Sequence, residues 1–173
     1  MTSAVEPLRY PNFRWLWAGN VFSASGTFVQ SVAGSWLMFE LTGSNSWVGL
    51  MVASATLPLL FFSLTAGALA DMFDRARLML IAQGIMGGAA LAMAILTFLG
   101  LMTPGLLLAL GLIMGTGLAL NIPAWQALVP DLVPRGLVAS AVALNSAAFN
   151  AARAIGPAFG GALLVTYGAG AGF

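Results

Sequence analysis

Residues 78–130 carry no charged side chain. About 20 apolar residues are enough for a helix to cross a bilayer, so this run is too long for a single crossing. Gly100, Pro104 and Gly105 are turn-forming residues near its middle, and they divide the run into two crossings. A soluble domain carries roughly 25% charged residues. This chain carries 6%, so the sequence predicts a protein that folds in lipid.

The same pattern, read along the whole chain, predicts an all-α membrane protein with five transmembrane helices. Short polar turns separate the apolar runs. Residues 1–12 are predicted to be a cytoplasmic lead, and residues 168–173 are predicted to begin the next turn of a truncated chain. The predicted spans are about 13–40, 47–70, 78–99, 106–129 and 137–167.

The arginines predict the orientation of these spans. Five of the six cations precede the first span, lie at its start, or lie in the second and fourth turns, which emerge on one side of the membrane: Arg9, Arg14, Arg75, Arg77 and Arg135. The other two turns, 41–46 and 100–105, contain none. Because short cytoplasmic loops are enriched in Lys and Arg, the N-terminus is predicted to be cytoplasmic.

Composition also limits the chemistry. The chain contains no Cys and no His, so the usual transition-metal ligands are missing. We therefore expect no metal and no cofactor, and a net charge of +1 gives no reason to expect a nucleic-acid partner. A membrane enzyme acting on lipids is disfavoured, because the sequence lacks a Ser nucleophile motif and paired carboxylates within the spans. No catalytic residue is predicted.

Arg153 is the charged residue that lies deep inside a predicted span, far from either end. It is about sixteen residues into the fifth span, or roughly 24 Å at the rise of an α-helix, which places it near the membrane midplane. Ser146 and Asn150 share its face of the helix. Two interpretations stay open. Arg153 is either a cavity cation that holds an anionic substrate or responds to a nearby proton, or one half of a helix–helix ion pair.

Several other polar residues are candidates for a substrate or proton pathway. Amides deep in the spans need partners, either across helices or in a wet cavity. Besides Arg153 and Asn150, the candidates are Asn20, Gln30, Asn121 and Glu40. For each amide, helix–helix packing is as good an interpretation as substrate contact. Glu40 is either a water-exposed carboxylate at the end of the first span or a proton-coupling group.

Small residues at four-residue spacing predict where helices approach closely, because lipid provides no hydrophobic drive for helix association. The fifth span carries such a ridge: Ala148, Ala152, Gly156 and Gly160. Shorter pairs are Gly84 with Gly88 in the third span and Gly111 with Gly115 in the fourth.

The charged second turn allows two interpretations as well. Its residues are either solvated loop residues that follow the topology or parts of a conformational latch, in which Asp131 pairs with Arg75 or Arg77. The candidate latch residues are Gly67, Asp71, Arg75, Arg77 and Asp131.

Two motifs resemble the major facilitator superfamily. Gly67, Asp71 and Arg75 match the loop pattern G-x-x-x-D-[RK]-x-G-[RK]-[RK], with Asp74 in the glycine position and Arg77 in place of the last cation. Residues 152–161 resemble the antiporter motif G-x-x-x-G-P-x-x-G-G, with Ala152 for its first Gly, followed by Gly156, Pro157, Gly160 and Gly161. Residues 12–17 and 41–44 are similar to the branch that exports siderophores and macrolides.

The resemblance implies the first five spans of an N-terminal half, with the sixth helix absent, and alternating access by two rocking halves. It implies proton-coupled efflux of small amphipathic molecules across a bacterial inner membrane. The partners it implies are membrane lipid, a small-molecule substrate, protons and the missing C-terminal half. In that family the loop Asp and Arg steady the outward-facing state, and the antiporter motif bends the fifth span. The alternative is a truncated, non-transporting membrane protein or scaffold.

Overall fold

The computed structural model describes residues 5–72 and 74–173, and the side chains of those residues outside 63–72. Within this range the protein is built of helices joined by short turns. The long helices are α1 (Pro11–Thr42), α2 (Asn45–Met72), α3 (Arg75–Phe98), α4 (Pro104–Leu132) and α5 (Val138–Tyr167). Short 3₁₀ helices cover Glu6–Arg9, Arg135–Leu137 and Ala169–Gly172. The all-α class expected from the sequence is confirmed.

Local chemistry sets the helix ends. Pro11 and Pro104 occupy the first turns of α1 and α4, where a missing backbone N–H costs nothing. Gly43 ends α1 with φ 62°, and its N–H donates to the Phe39 carbonyl at 2.8 Å. This left-handed cap favours glycine, because other side chains are strained there. The apolar runs therefore stop at residues suited to tight turns.

Asp74 begins α3, and its carboxylate accepts a hydrogen bond from the Arg77 backbone N–H at 2.8 Å. Its φ of −59° is unstrained, so the aspartate fits without the conformational freedom of the glycine that the loop pattern has here. A carboxylate also interacts favourably with the positive end of the helix dipole. The departure from the pattern thus supplies a helix cap.

We expect Asp74→Ala to destabilise the protein by about 1 kcal/mol, because the first turn of α3 loses its capping acceptor. Asp74→Gly restores the pattern residue and is expected to cost only a few tenths of a kcal/mol, since water can reach the freed N–H. Thermal unfolding of both variants in detergent checks the order. An Asp74→Ala variant as stable as the wild type would show that the cap contributes nothing.

Four helical stretches are long and apolar enough to cross a membrane by length and composition. They are Asn45–Phe62, Arg75–Phe98, Pro104–Leu132 and Arg135–Tyr167. Helix α1 is 32 residues long but is not one of them, although the sequence predicts a span there. The reason is its many hydroxyl and amide side chains, so α1 is the most polar of the long helices.

The helices pack in two groups. Helix α4 lies against both α2 and α3, and α1 lies against α5, with α1 also touching α2. The 3₁₀ helix Ala169–Gly172 packs against α1, α3 and α5. Apolar side chains such as Phe22, Phe61 and Val165 point outward and are 81%, 75% and 87% exposed. That surface suits lipid and would be costly in water.

Two buried apolar clusters lie at opposite ends of the bundle. The cluster near the 41–44 and 100–103 turns is rich in methionine and contains Leu37, Met38, Met51, Met93, Met102, Leu107 and Ala169. The cluster at the other end contains Phe13, Trp125, Val129, Val133, Leu137 and Ala141.

Candidate functional site

An ion pair joins the start of α3 to the end of α4. Arg75 Nη1 lies 2.7 Å from Asp131 Oδ2 and also donates to the Ala127 carbonyl at 3.0 Å. The structure therefore brings together two of the residues that the sequence places in a latch. The Arg75 and Asp131 side chains are 39% and 60% exposed, so solvent screens the pair.

The other latch candidates are less connected. Gly67 and Asp71 lie in α2, but they belong to the part of that helix whose side chains are not described. Arg77 is exposed, and among the described side chains the ion pair on Asp131 is made by Arg75. The backbone of Arg77 is nevertheless used, as the donor to Asp74.

Removing the ion pair is expected to affect stability little. For Asp131→Asn we expect a loss below about 1 kcal/mol, because exposed ion pairs are weak and Arg75 keeps its carbonyl partner. If the pair steadies one conformation of a transporter, which is the function that the resemblance implies, the transport rate falls while thermal stability in detergent stays close to wild type. Arg135→Gln, a change of an exposed loop charge, is the control. A transport rate equal to that of the control would remove Asp131 from the latch.

The residues that resemble the antiporter motif form part of the contact between α5 and α1. A Cβ on Gly156 would lie 2.6 Å from Phe28 Cβ, and one on Gly160 would lie 3.2 Å from Val29 Cα. Ala152, Gly156 and Gly160 are buried, which places the predicted ridge in this interface. Gly161 differs, because a Cβ there meets nothing within 4 Å. Pro157 is exposed.

A polar stripe runs along a different face of α5. Ser146, Asn150 and Arg153 are all exposed, and the Asn150 amide donates to the Ser146 carbonyl at 2.9 Å. Among the side chains that the structure describes, none forms a hydrogen bond or ion pair with Arg153. A guanidinium facing lipid at this depth is expensive. The stripe therefore requires water, a ligand or another protein surface beside it.

The predicted pathway amides Asn20 and Asn121 instead bond across helices. Asn20 Nδ2 donates to Asn145 Oδ1 at 3.1 Å, which links α1 to α5. Gln83 joins three helices: its Oε1 accepts from Ser23 Oγ at 3.0 Å, and its Nε2 donates to Asn121 Oδ1 at 3.4 Å. Asn121 is 8% exposed. These contacts fit the packing interpretation that the sequence left open.

Glu40 lies at the surface, at the end of α1. Its carboxylate accepts a hydrogen bond from Trp36 Nε1 at 2.8 Å, and both side chains are exposed. This placement matches the first of the two interpretations drawn from the sequence, a water-exposed carboxylate. It gives no support to a buried proton-coupling group.

Gln30 borders two open spaces in the bundle. The first, here called the inner cavity, has a volume of about 220 Å³ and lies between α1, α2 and α4. The second, here called the side groove, has a volume of about 620 Å³ and lies between α1, α3 and α5. Gln30, Thr27 and Met114 border both spaces. The Gln30 amide donates to the Phe173 carbonyl at 3.4 Å.

Most residues that line the inner cavity were not predicted from the sequence. They include hydroxyl residues on α1 and α2, and methionines from α2, α3 and α4: Thr27, Ser31, Ser35, Thr56, Met51, Met93 and Met114. The polar spacing of α1 was the available signal, since Thr27, Ser31 and Ser35 recur every four residues. Single methionines within apolar runs gave no signal that they line a cavity.

A match over nearly the whole chain decides the family. The family model described as transmembrane secretion effector matches residues 2–173. The chain belongs to this family. The family is part of the major facilitator superfamily, so the resemblance drawn from the two motifs is confirmed.

Curated relatives of this secretion effector chain are transport proteins. It is 27% identical over 143 residues to the staphyloferrin A transporter of Staphylococcus aureus, covering 82% of this chain and 36% of the relative. It is 27% identical over 172 residues to the multidrug efflux pump Tap of Mycobacterium tuberculosis, covering 92% and 39%. The chain thus spans little more than a third of the length of these relatives. No solved structure matches it with significance.

The secretion effector family and its relatives are transporters, and the helices make the chain an integral membrane protein. Among the described residues, no group of three or more His, Cys, Asp or Glu side chains is placed to hold a metal ion. The candidate functional residues described here carry guanidinium, carboxylate, amide, hydroxyl and thioether groups.

Proposed function

We propose that this bundle is part of a secondary active transporter that exports small amphipathic molecules in exchange for protons. The bundle works with a second, C-terminal helical half, and alternating access exposes the substrate path to each side of the membrane in turn. The protein lies in a bacterial inner membrane with its N-terminus in the cytoplasm. Family membership supports the proposal, as do the activities for which the relatives are named, staphyloferrin A transport and multidrug efflux.

The observation that carries the proposal is the exposed polar stripe on α5. An integral membrane protein cannot leave a guanidinium on its lipid-facing surface at midplane depth without a large cost. Arg153, Asn150 and Ser146 nevertheless share an exposed face, and no described side chain covers Arg153. A water-filled substrate path between two halves satisfies this arrangement. In that path Arg153 binds an anionic group of the substrate or responds to a change in the protonation of a nearby group.

The motif residues have separate roles in the proposed cycle. Arg75 and Asp131, with Gly67, Asp71 and Arg77, hold one conformation at the cytoplasmic surface and release it in the other. Gly156 and Gly160 keep α5 against α1 so that the path does not leak. Gln30 borders the path, while Asn20 and Asn121 hold the helices in register.

Everted membrane vesicles test the coupling. Membranes containing the protein expressed from its native gene are given an inward-acid pH gradient, and uptake of a fluorescent amphipathic dye is followed. We expect uptake above that of vesicles lacking the protein, and its collapse on addition of a protonophore. Uptake that survives the protonophore would contradict proton coupling. The absence of any uptake, across a panel of amphipathic dyes and siderophores, would contradict export.

A further inference from the structure

The inner cavity is larger than an ordinary packing defect, and it opens to the surface beside the exposed residues Ser31, Val52 and Thr56. Protein interiors are packed as densely as organic crystals, and few voids exceed the size of one water molecule. This cavity has a volume of about 220 Å³. An apolar cavity of about 150 Å³ already holds a benzene molecule. The space between α1, α2 and α4 is therefore sufficient for an aromatic ring with its substituents.

Two glycines on α4 border this space where α2 and α4 come into close contact. A Cβ on Gly111 would collide with Ser54 Oγ and one on Gly115 with the Ala55 carbonyl, so α2 and α4 meet directly at these positions. The close contact leaves the remaining volume toward α1, where Thr27 and Ser31 form the wall. The cavity is thus a consequence of how three helices pack, with backbone as well as side chains in its lining.

The lining has a distinct chemistry. None of the described residues that border the cavity carries a charge. Its apolar surface includes three thioethers, from Met51, Met93 and Met114, and its polar groups are hydroxyls and the Gln30 amide. Methionine is flexible and polarisable, and its sulfur makes favourable contacts with aromatic rings. A charged group entering this space would lose its hydration without gaining a counter-charge.

We infer that the inner cavity binds an uncharged aromatic group of the transported molecule, with Met51, Met93 and Met114 against the ring and the α1 hydroxyls at its polar substituents. This inference rests on the proposed function and adds the chemical class of the bound group. It also separates two tasks within one bundle. The cavity takes the uncharged aromatic part of a substrate, while Arg153 lies on another element and acts on a charge.

Methyl-labelled methionine gives a direct test that does not depend on transport. The protein is expressed from its native gene with ¹³C-methyl methionine, placed in lipid nanodiscs and titrated with naphthalene methanol. We expect saturable shifts of the Met51, Met93 and Met114 methyl signals, because ring currents act at short range. Met79 packs against the cluster at the other end of the bundle and is the internal control. Its methyl signal is expected not to shift.

Two comparisons make the result specific. Ser31→Trp places a large side chain at the cavity wall and is expected to remove the shifts, whereas Ser31→Ala deletes only one hydroxyl and is expected to weaken binding without removing the shifts. Met114→Leu keeps the volume but loses the sulfur, so binding is expected to weaken roughly two- to tenfold. The cationic analogue naphthylmethylammonium is expected to bind more weakly than the alcohol.

Each outcome decides a different claim. Unmoved cavity methionines, equal shifts at Met79, or equal binding of the two analogues would overturn the inference, even in a protein that transports. Saturable shifts in a protein that fails the vesicle assay would leave the cavity as a binding site and overturn the proposed function alone.

Discussion

Replacing Arg153 by alanine is expected to abolish transport, with a fall of at least about tenfold, while the protein still inserts into the membrane and folds. The size follows from the loss of a charged hydrogen-bonding group in a poorly screened site, which costs on the order of 1.5–3 kcal/mol. Folding is expected to survive because Arg153 is exposed, and no ion pair to it is seen among the described side chains. The vesicle assay measures the rate, and gel filtration in detergent measures folding.

Arg153→Lys separates charge from shape. Lysine keeps the positive charge but cannot form the paired, planar contacts of a guanidinium. Partial activity in this variant would assign the role to charge, and complete loss would assign it to geometry. Asn150→Ala, one turn away on the same face, is expected to lower transport less than Arg153→Ala. Normal transport by Arg153→Ala would reduce the polar stripe to a packing feature and contradict the proposed path.

The second large effect is expected at the antiporter motif, where two glycines differ in their surroundings. Gly156→Ala forces a Cβ into Phe28, and we expect a loss of about 1–3 kcal/mol because the α1–α5 contact must open. Gly161→Ala is the matched control. Its Cβ meets nothing within 4 Å, so stability is expected to stay unchanged or to rise slightly, since alanine favours a helix over glycine.

The two glycine variants are heated in the same detergent, and the fraction of each that remains monodisperse is measured at each temperature. The leak of protons through vesicles carrying each variant is a second readout, because a loosened α1–α5 contact opens the bundle beside the polar stripe. Equal stability of Gly156→Ala and Gly161→Ala would contradict the close approach of α1 and α5 on which the packing of the bundle depends.

Sequence alone was enough for the class of fold, because the determining signal is local. Uncharged runs such as residues 78–130 exclude water along their whole length, and turn residues such as Gly43 and Pro104 mark where they stop. Local composition also explains why α1 is not among the helical stretches that are apolar enough to cross a membrane. Its length was apparent, but its hydroxyl and amide side chains make it less apolar than the other helices.

Helix faces were harder to predict, for a physical reason. In lipid, the outer surface of a helix is as apolar as its packed surface, so hydrophobic periodicity does not show which side meets a neighbour. Small residues help only in part. Gly156 and Gly115 are packed against backbone or Cβ atoms, whereas Gly84 and Gly88 face open space. The sequence does not say which glycine has a neighbour.

Long-range contacts were the least predictable. The Asn20–Asn145 bond joins residues 125 positions apart, and the Arg75–Asp131 bond joins residues 56 apart. The sequence suggested the second pair, because opposite charges lie in turns predicted on the same side of the membrane. It gave no reason to pair the two asparagines. The inner cavity depends on three helices at once and was not predicted.

The central claim is that the apolar runs cross a bilayer with their arginine-bearing turns on the cytoplasmic side. These 173 residues contain no Cys. Once any Cys in the rest of the protein is replaced, a single introduced thiol is the one group that a maleimide can label. Ser46→Cys and Gly136→Cys place single thiols at exposed positions beside two different turns. A membrane-impermeant maleimide added to intact cells is expected to label the residue 46 thiol and not the residue 136 thiol, with the reverse pattern in everted vesicles. Labelling of both thiols from the same side would contradict the account.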